Sequence, residues 1–184
     1  QGVSSAASDV YKRQSIMLAI IAMGSNLGDR LSYLQFGLDQ LKLLPDVEVL
    51  NVSSIYETQA IGGPENQDDY LNAVAVISTS LSPNNLLVVL NEIESGAGRV
   101  RDIHHGPRTL DLDIIDFENY SSDDPVLTVP HPRAKERAFV LIPLQEIAPE
   151  WRLNGSMNVP DLLSKVKDQQ VTLCAELKLL NGAS

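Results

Sequence analysis

Ile16–Met23 is an uninterrupted run of eight apolar residues, the longest in this 184-residue chain. A strand sends alternate side chains to opposite faces, so a run without a polar position predicts a central strand buried on both sides. It is far too short to cross a membrane as a helix, which takes ~20 residues. Turn formers end it at once, in Gly24-Ser25-Asn26-Leu27-Gly28-Asp29.

Leu31, Leu34, Leu38 and Leu41 then recur at spacings of three and four, one stripe of an amphipathic helix. Asp29 can cap its start, and Pro45 lies just past its end. Val47–Tyr56 is rich in β-branched residues and predicts a second strand. Glu57–Asp69 is polar and glycine-bearing, a loop of about a dozen residues and therefore a candidate for function. Tyr70–Thr79 returns to strand character. Ser82-Pro83 is a capping residue with proline at the first helical position, and Leu86, Val89, Leu90 and Ile93 form the stripe that follows. A glycine- and arginine-rich loop runs from Gly96 to Arg108, and Thr109–Phe117 closes the series as a strand.

The order strand, helix, strand, strand, helix, strand predicts the α+β class, with a ferredoxin-like βαββαβ core, an antiparallel sheet and helices on one side of it. From Ser121 onward a C-terminal α/β extension is expected. In it, Arg133–Glu146 reads as helical around a break at Pro143, Val159–Asp168 as a short helix and Val171–Leu179 as an added strand. Residues 1–15 show no periodicity and are set aside as a tail; 16–184 are expected to form one domain.

Composition removes several function classes. The formal net charge is −10, which repels nucleic acid and anionic membrane, so neither is an expected partner. Cys174 is the only cysteine; no intrachain disulfide can form, which suits a reducing, cytoplasmic setting. One cysteine and three scattered histidines give no zinc spacing, and no Walker loop or nucleophile elbow is present.

The chemistry concentrates in His104-His105-Gly106-Pro107-Arg108-Thr109-Leu110-Asp111-Leu112-Asp113. On a strand, Asp111 and Asp113 project to one face about 7 Å apart. Two such carboxylates repel unless a cation lies between them or one is protonated. Hard divalent ions such as magnesium take oxygen ligands and keep exchangeable waters. Taken alone, the pair reads first as two ordinary surface aspartates on a solvent-facing strand. Arg99, Arg101 and Arg108 lie close by in an otherwise acidic chain, with Arg133 and Arg137 downstream. Guanidinium groups fork onto phosphate oxygens, so arginines and aspartates together favour a polyphosphate site. Tyr70 and Asn72 share a strand face and could stack on and hydrogen-bond a flat heterocycle; packing and turn roles are the plain alternative. His131, between two prolines, could donate to a phosphate oxygen or satisfy a loop carbonyl.

Several segments together resemble the hydroxymethyldihydropterin pyrophosphokinase family. They are Gly24-Ser25-Asn26-Leu27-Gly28, Ser54-x-Tyr56-x-Thr58, Asp69-Tyr70-Leu71-Asn72-Ala73, Gly98-Arg99-Val100-Arg101 and Gly106-Pro107-Arg108 through Asp113. Val129-Pro130-His131 and Arg137-Ala138-Phe139 through Pro143-Leu144 extend the match. The resemblance implies transfer of pyrophosphate from ATP to 6-hydroxymethyl-7,8-dihydropterin, a folate-pathway step, with AMP leaving. It implies two magnesium ions on Asp111 and Asp113, and ATP contacts from Glu94, Arg99, Arg108, Ile114, His131 and Arg137. Arg99 and Arg101 would assist catalysis, Arg101 from a closing loop. Tyr70 and Phe139 would sandwich the pterin, with Thr58, Ile61 and Asn72 at its edge. His105 stands where relatives carry tryptophan as a lid; Asp102, His104 and Val126 also replace basic residues. A monomer is expected, with association with neighbouring folate enzymes left open. The competing readings are a ferredoxin-like binding module without catalysis and a magnesium-dependent kinase for another small alcohol.

Overall fold

The computed structural model describes residues 15–60, 65–98 and 109–178. Its main sheet is built around β1 (Met17–Ser25), the apolar run extended into the glycine turn. β4 (Tyr70–Thr79) and β5 (Asp111–Phe117) flank β1, both antiparallel to it. β2 (Val47–Val52) and β3 (Ser54–Thr58) both pair with β4 on its other side, and β10 (Thr172–Lys178) pairs with β3. The class is thus mixed helix and antiparallel sheet, and every sheet neighbour is antiparallel.

Burial on both faces of β1 is what its composition demanded. Ala19, Ile21 and Met23 enter one core with Leu34, Leu38 and Leu41 of α1 (Arg30–Leu43) and Leu86, Leu90 and Ile93 of α2 (Pro83–Gly96). Ile20 enters a second core, against Val140, Leu141 and Leu144 of α3 (Ala138–Ile147) and Leu162 of α4 (Val159–Ser164). Helices therefore cover both faces, not one: the C-terminal third supplies the second layer. A strand with no polar face cannot leave one side to water. The Asp29 cap on Ser32 N–H and the Ser82 cap on Asn85 N–H hold α1 and α2 where the sequence put them.

Three local features depart from expectation. Val47–Tyr56 is two strands, not one, because Ser53 interrupts the ladder. Ser53 N–H donates to Val74 O, and its hydroxyl accepts from Val74 N–H, both at 2.9 Å. The Ser53 amide and both Val74 backbone groups thus keep partners at the break. Pro143 lies inside α3 rather than breaking it. It removes a single helical N–H, that to Phe139 O, and the buried neighbours Leu141 and Leu144 hold the turn. Finally, β6 (Ser122–Asp124) with β7 (Leu127–Val129), and β8 (Arg152–Leu153) with β9 (Met157–Asn158), form two small hairpins that periodicity did not indicate.

A register shift between β1 and β5 matters most. Ile21 pairs with Ile114, but Ile20 pairs with Asp116, so Ile115 is the extra residue of a bulge. Strict alternation would aim Asp116 into the α1–α2 core. The bulge turns it to the other face, where it is 3% exposed. There it accepts from Trp151 Nε1 at 2.9 Å, Asn154 N–H at 3.0 Å and Phe117 N–H at 3.0 Å. Burial pushes its carboxyl above the usual range, and the three donors pull it back. Asn154 and Gly155, both at positive φ, make the tight β8–β9 turn that presents the Asn154 amide. Asp116→Ala leaves these donors unpaired and is expected to lower unfolding free energy by roughly 2–4 kcal/mol. Urea denaturation checks this; a loss below about 0.5 kcal/mol would show that water replaces the carboxylate at no cost.

Candidate active site

β1 carries small residues where it crosses the acidic end of β5. Asp111 pairs with Gly24 and Asp113 with Ala22; on the other side Gly24 pairs with Asn72, which pairs with Tyr56. Paired residues share a face, so Asp111, Gly24 and Asn72 lie in one row, spanning about 10 Å from carboxylate to amide strand. Nothing larger than a methyl group stands between them.

This row floors a cleft of about 590 Å³, the size of a small-molecule site. Asp111, Asp113, Thr58, Tyr70 and Asn72 line the sheet side, and Arg133, Arg137 and Phe139 the side formed by the segment leading into α3 and its first turn. The two aspartates therefore do face one way, into a cleft with two guanidinium groups. Both are half-buried. Asn72 is 6% exposed, and its Nδ2 donates to Thr58 Oγ1 at 2.9 Å. The Arg137 guanidinium lies 5.4 Å from the centre of the Phe139 ring, within cation–π range.

The electrostatics follow from burial and neighbours. Burial, then the Arg133 charge, lower the Arg137 pKa, while Asp113, Glu136 and Asp111 work against the shift. Burial also lowers His131, aided by Arg137 and opposed by Asp111, so its imidazole is uncharged at neutral pH. His131 N–H donates to Ile115 O at 2.7 Å, and its Nδ1 accepts from Arg133 N–H at 3.2 Å. That leaves Nε2 as the nitrogen bearing hydrogen.

Two expected nucleotide residues sit elsewhere. Glu94 is 1% exposed, and its Oε2 accepts from Leu112 N–H at 2.9 Å, on the helix-covered side of β5. Ile114 is 4% exposed within the same core. Glu94 thus props the strand that carries Asp111 and Asp113. Ile61, Arg99, Arg101, His105 and Arg108 lie outside the described residues, as do Asp102 and His104. Ala22, Gln59, Glu136 and Gln169 line the cleft without having been singled out, and Gly24 had been noted only as the start of the glycine turn. For Ala22 and Gly24 a signal existed: two small residues two apart, leading into the turn.

Among the described residues no group of three histidine, cysteine or acidic side chains is placed to hold a metal. Two carboxylates alone suit an ion that keeps water and takes its remaining ligands from substrate oxygens, as magnesium does. No described helix is long and apolar enough to cross a membrane.

Comparison with known proteins gives consistent answers. Residues 20–149 match the family model described as 7,8-dihydro-6-hydroxymethylpterin-pyrophosphokinase (HPPK). A Pseudomonas aeruginosa protein named 2-amino-4-hydroxy-6-hydroxymethyldihydropteridine pyrophosphokinase is 42% identical over 149 residues, 81% of this chain and 91% of that one. A Bacillus subtilis protein of the same name is 48% identical over 130 residues, 71% of this chain and 77% of that one. Among solved structures, wild-type Plasmodium falciparum HPPK-DHPS aligns with a TM-score of 0.64 at 16% identity, over 84% of this chain. This chain spans 44% of that one, and the likeness concerns the fold alone.

Proposed function

The chain belongs to the 7,8-dihydro-6-hydroxymethylpterin-pyrophosphokinase family, and we propose that the cleft between β5, β4 and α3 is where its reaction takes place. That reaction transfers pyrophosphate from ATP to 6-hydroxymethyl-7,8-dihydropterin, a step of folate synthesis that leaves AMP. The single observation carrying the placement is that Asp111 and Asp113 share a cleft with Arg133, Arg137, Tyr70, Asn72 and Phe139.

In this reading Asp111 and Asp113 would hold magnesium, two ions in all. The ions would supply neutralisation of the phosphate oxygens and a template for them. Arg137, with Arg99 and Arg108, binds the phosphates, and the neutral His131 donates a hydrogen bond rather than a charge. Arg101 is assigned an assisting catalytic role by the resemblance. The pterin ring lies over Gly24, between Tyr70 and Phe139, with Asn72 and Thr58 reading its edge; the resemblance adds Ile61 and His105 to the pterin-binding set. The pterin hydroxyl then attacks the β-phosphorus in line. Positioning and charge neutralisation do most of the work, and no side chain needs to act as a strong base.

The sheet order β5-β1-β4-β2 with two helices on one face is what a ferredoxin-like βαββαβ core would produce, and we adopt that description. We read 16–184 as one cytoplasmic, monomeric pyrophosphokinase domain. The direct test is to mix protein, ATP, magnesium and the pterin alcohol and identify the nucleotide product. AMP is expected; ADP would mean ordinary single-phosphoryl transfer, and no nucleotide product would remove the reaction altogether. Tyr70→Ala is expected to weaken pterin binding by roughly ten- to a hundredfold, with nucleotide affinity within about twofold. Calorimetry with each ligand decides, and equal losses for both would place Tyr70 outside the pterin site.

A further inference from the structure

We propose that Gln169 is a positioning residue for Arg137, supplied by a part of the chain beyond the family-matched 20–149 region. The inference rests on the reading of Arg137 as a phosphate ligand. Arg137 occupies the N-cap position of α3, yet makes no side-chain cap hydrogen bond; its guanidinium instead lines the cleft over Phe139. A helix start leaves its first N–H groups without partners, a role normally met by Ser, Thr, Asp or Asn at that position. Arginine has only donors and cannot meet it.

Gln169 meets it from a distance. Its Oε1 accepts from Ala138 N–H at 2.8 Å, and its Nε2 donates to Glu136 O at 2.7 Å. These are the backbone groups immediately before and after Arg137, so one amide clamps both peptides flanking that residue. Only an amide presents acceptor and donor side by side for this. Gln169 is itself held by its N–H to Val166 O at 3.1 Å, following α4, whose Leu162 packs in the α3 core. The extended backbone of Arg137, φ −115 and ψ 106, is thereby fixed from outside the helix. Gln169 borders the cleft, but both ends of its amide are engaged by the backbone flanking Arg137, which gives it a positioning role.

The test is calorimetric binding of a non-hydrolysable ATP analogue with magnesium, on wild type, Gln169→Ala, Arg137→Ala and the double variant. Gln169→Ala is expected to weaken binding roughly five- to tenfold. In the Arg137→Ala background the same change is expected to add nothing. Gln169→Glu keeps the acceptor but sets a carboxylate against Glu136 O, and is expected to be no better than alanine. Wild-type affinity in Gln169→Ala, or losses that multiply in the double variant, would overturn the proposal. A remote fold-stabilising role would move the unfolding midpoint without this non-additivity. Wild type that binds the analogue but forms no AMP from ATP and the pterin alcohol would sink the reaction assigned above and leave the clamp standing; wild type that binds no nucleotide would sink both.

Discussion

Asp111→Ala and Asp113→Ala should each lower the rate of AMP formation by at least about 10³-fold while the protein stays folded, because charge stabilisation of the transferred group is the largest catalytic contribution. No third acidic or histidine ligand stands with them among the described residues, so loss of either would remove half of the side chains proposed to hold magnesium. Both side chains are half-buried at a cleft, outside either core, so neither change creates a cavity. Asp→Asn at the same positions separates charge from shape and should be nearly as damaging. Product chromatography at saturating ATP across a magnesium titration reads the result. Turnover within tenfold of wild type at limiting magnesium would dismiss the two-aspartate metal site.

Gly24→Leu should weaken pterin binding by at least about a hundredfold, since the ring would lose its contact area against the cleft floor. A methyl group at Gly24 would meet Tyr70 Cδ1 at 3.5 Å and Asn72 Oδ1 at 3.7 Å, ordinary contact distances. Gly24→Ala should therefore bind within a few-fold of wild type, and neither variant is strained, because Gly24 is not at positive φ. The remaining leucine atoms have only the cleft to occupy. Fluorescence titration with the pterin across glycine, alanine and leucine gives the series. Equal affinity for the alanine and leucine variants would put the ring elsewhere.

Much of the molecule was legible because its signals are local. The capped start of α1 at Asp29, the Ser82-Pro83 start of α2 and the limits of β4 at Tyr70 and Thr79 each depend on a few adjacent residues. The shared face of Asp111 and Asp113 needs only the two-residue period of a strand. What failed was non-local. Ser53 sits unmarked inside a strand predicted from its β-branched neighbours until Val74 is placed beside it. The bulge at Ile115 exists only against Ile20, and it turns Asp116 out of the α1–α2 core onto Trp151 and Asn154.

The site divides the same way. Asp111, Asp113, Tyr70 and Asn72 come from strands whose spacing is written in the chain, whereas Glu94 and Ile114 turned out to lie on the other side of β5. Gln169 carries no signal at all, being a polar residue in a short C-terminal connection; its meaning depends on a helix start 31 positions earlier.

Alone, the amino-acid order determined which residues are apolar on both strand faces, where helices can begin, and which acidic and basic groups occur together, since these follow from steric period and local hydrogen bonding. Only the packed chain decided which layer covers the second face of β1, which carboxylates reach the cleft, and how Arg137 is held. Those outcomes turn on distant groups meeting across the sheet, where burial and the obligation to pair every polar atom select one arrangement.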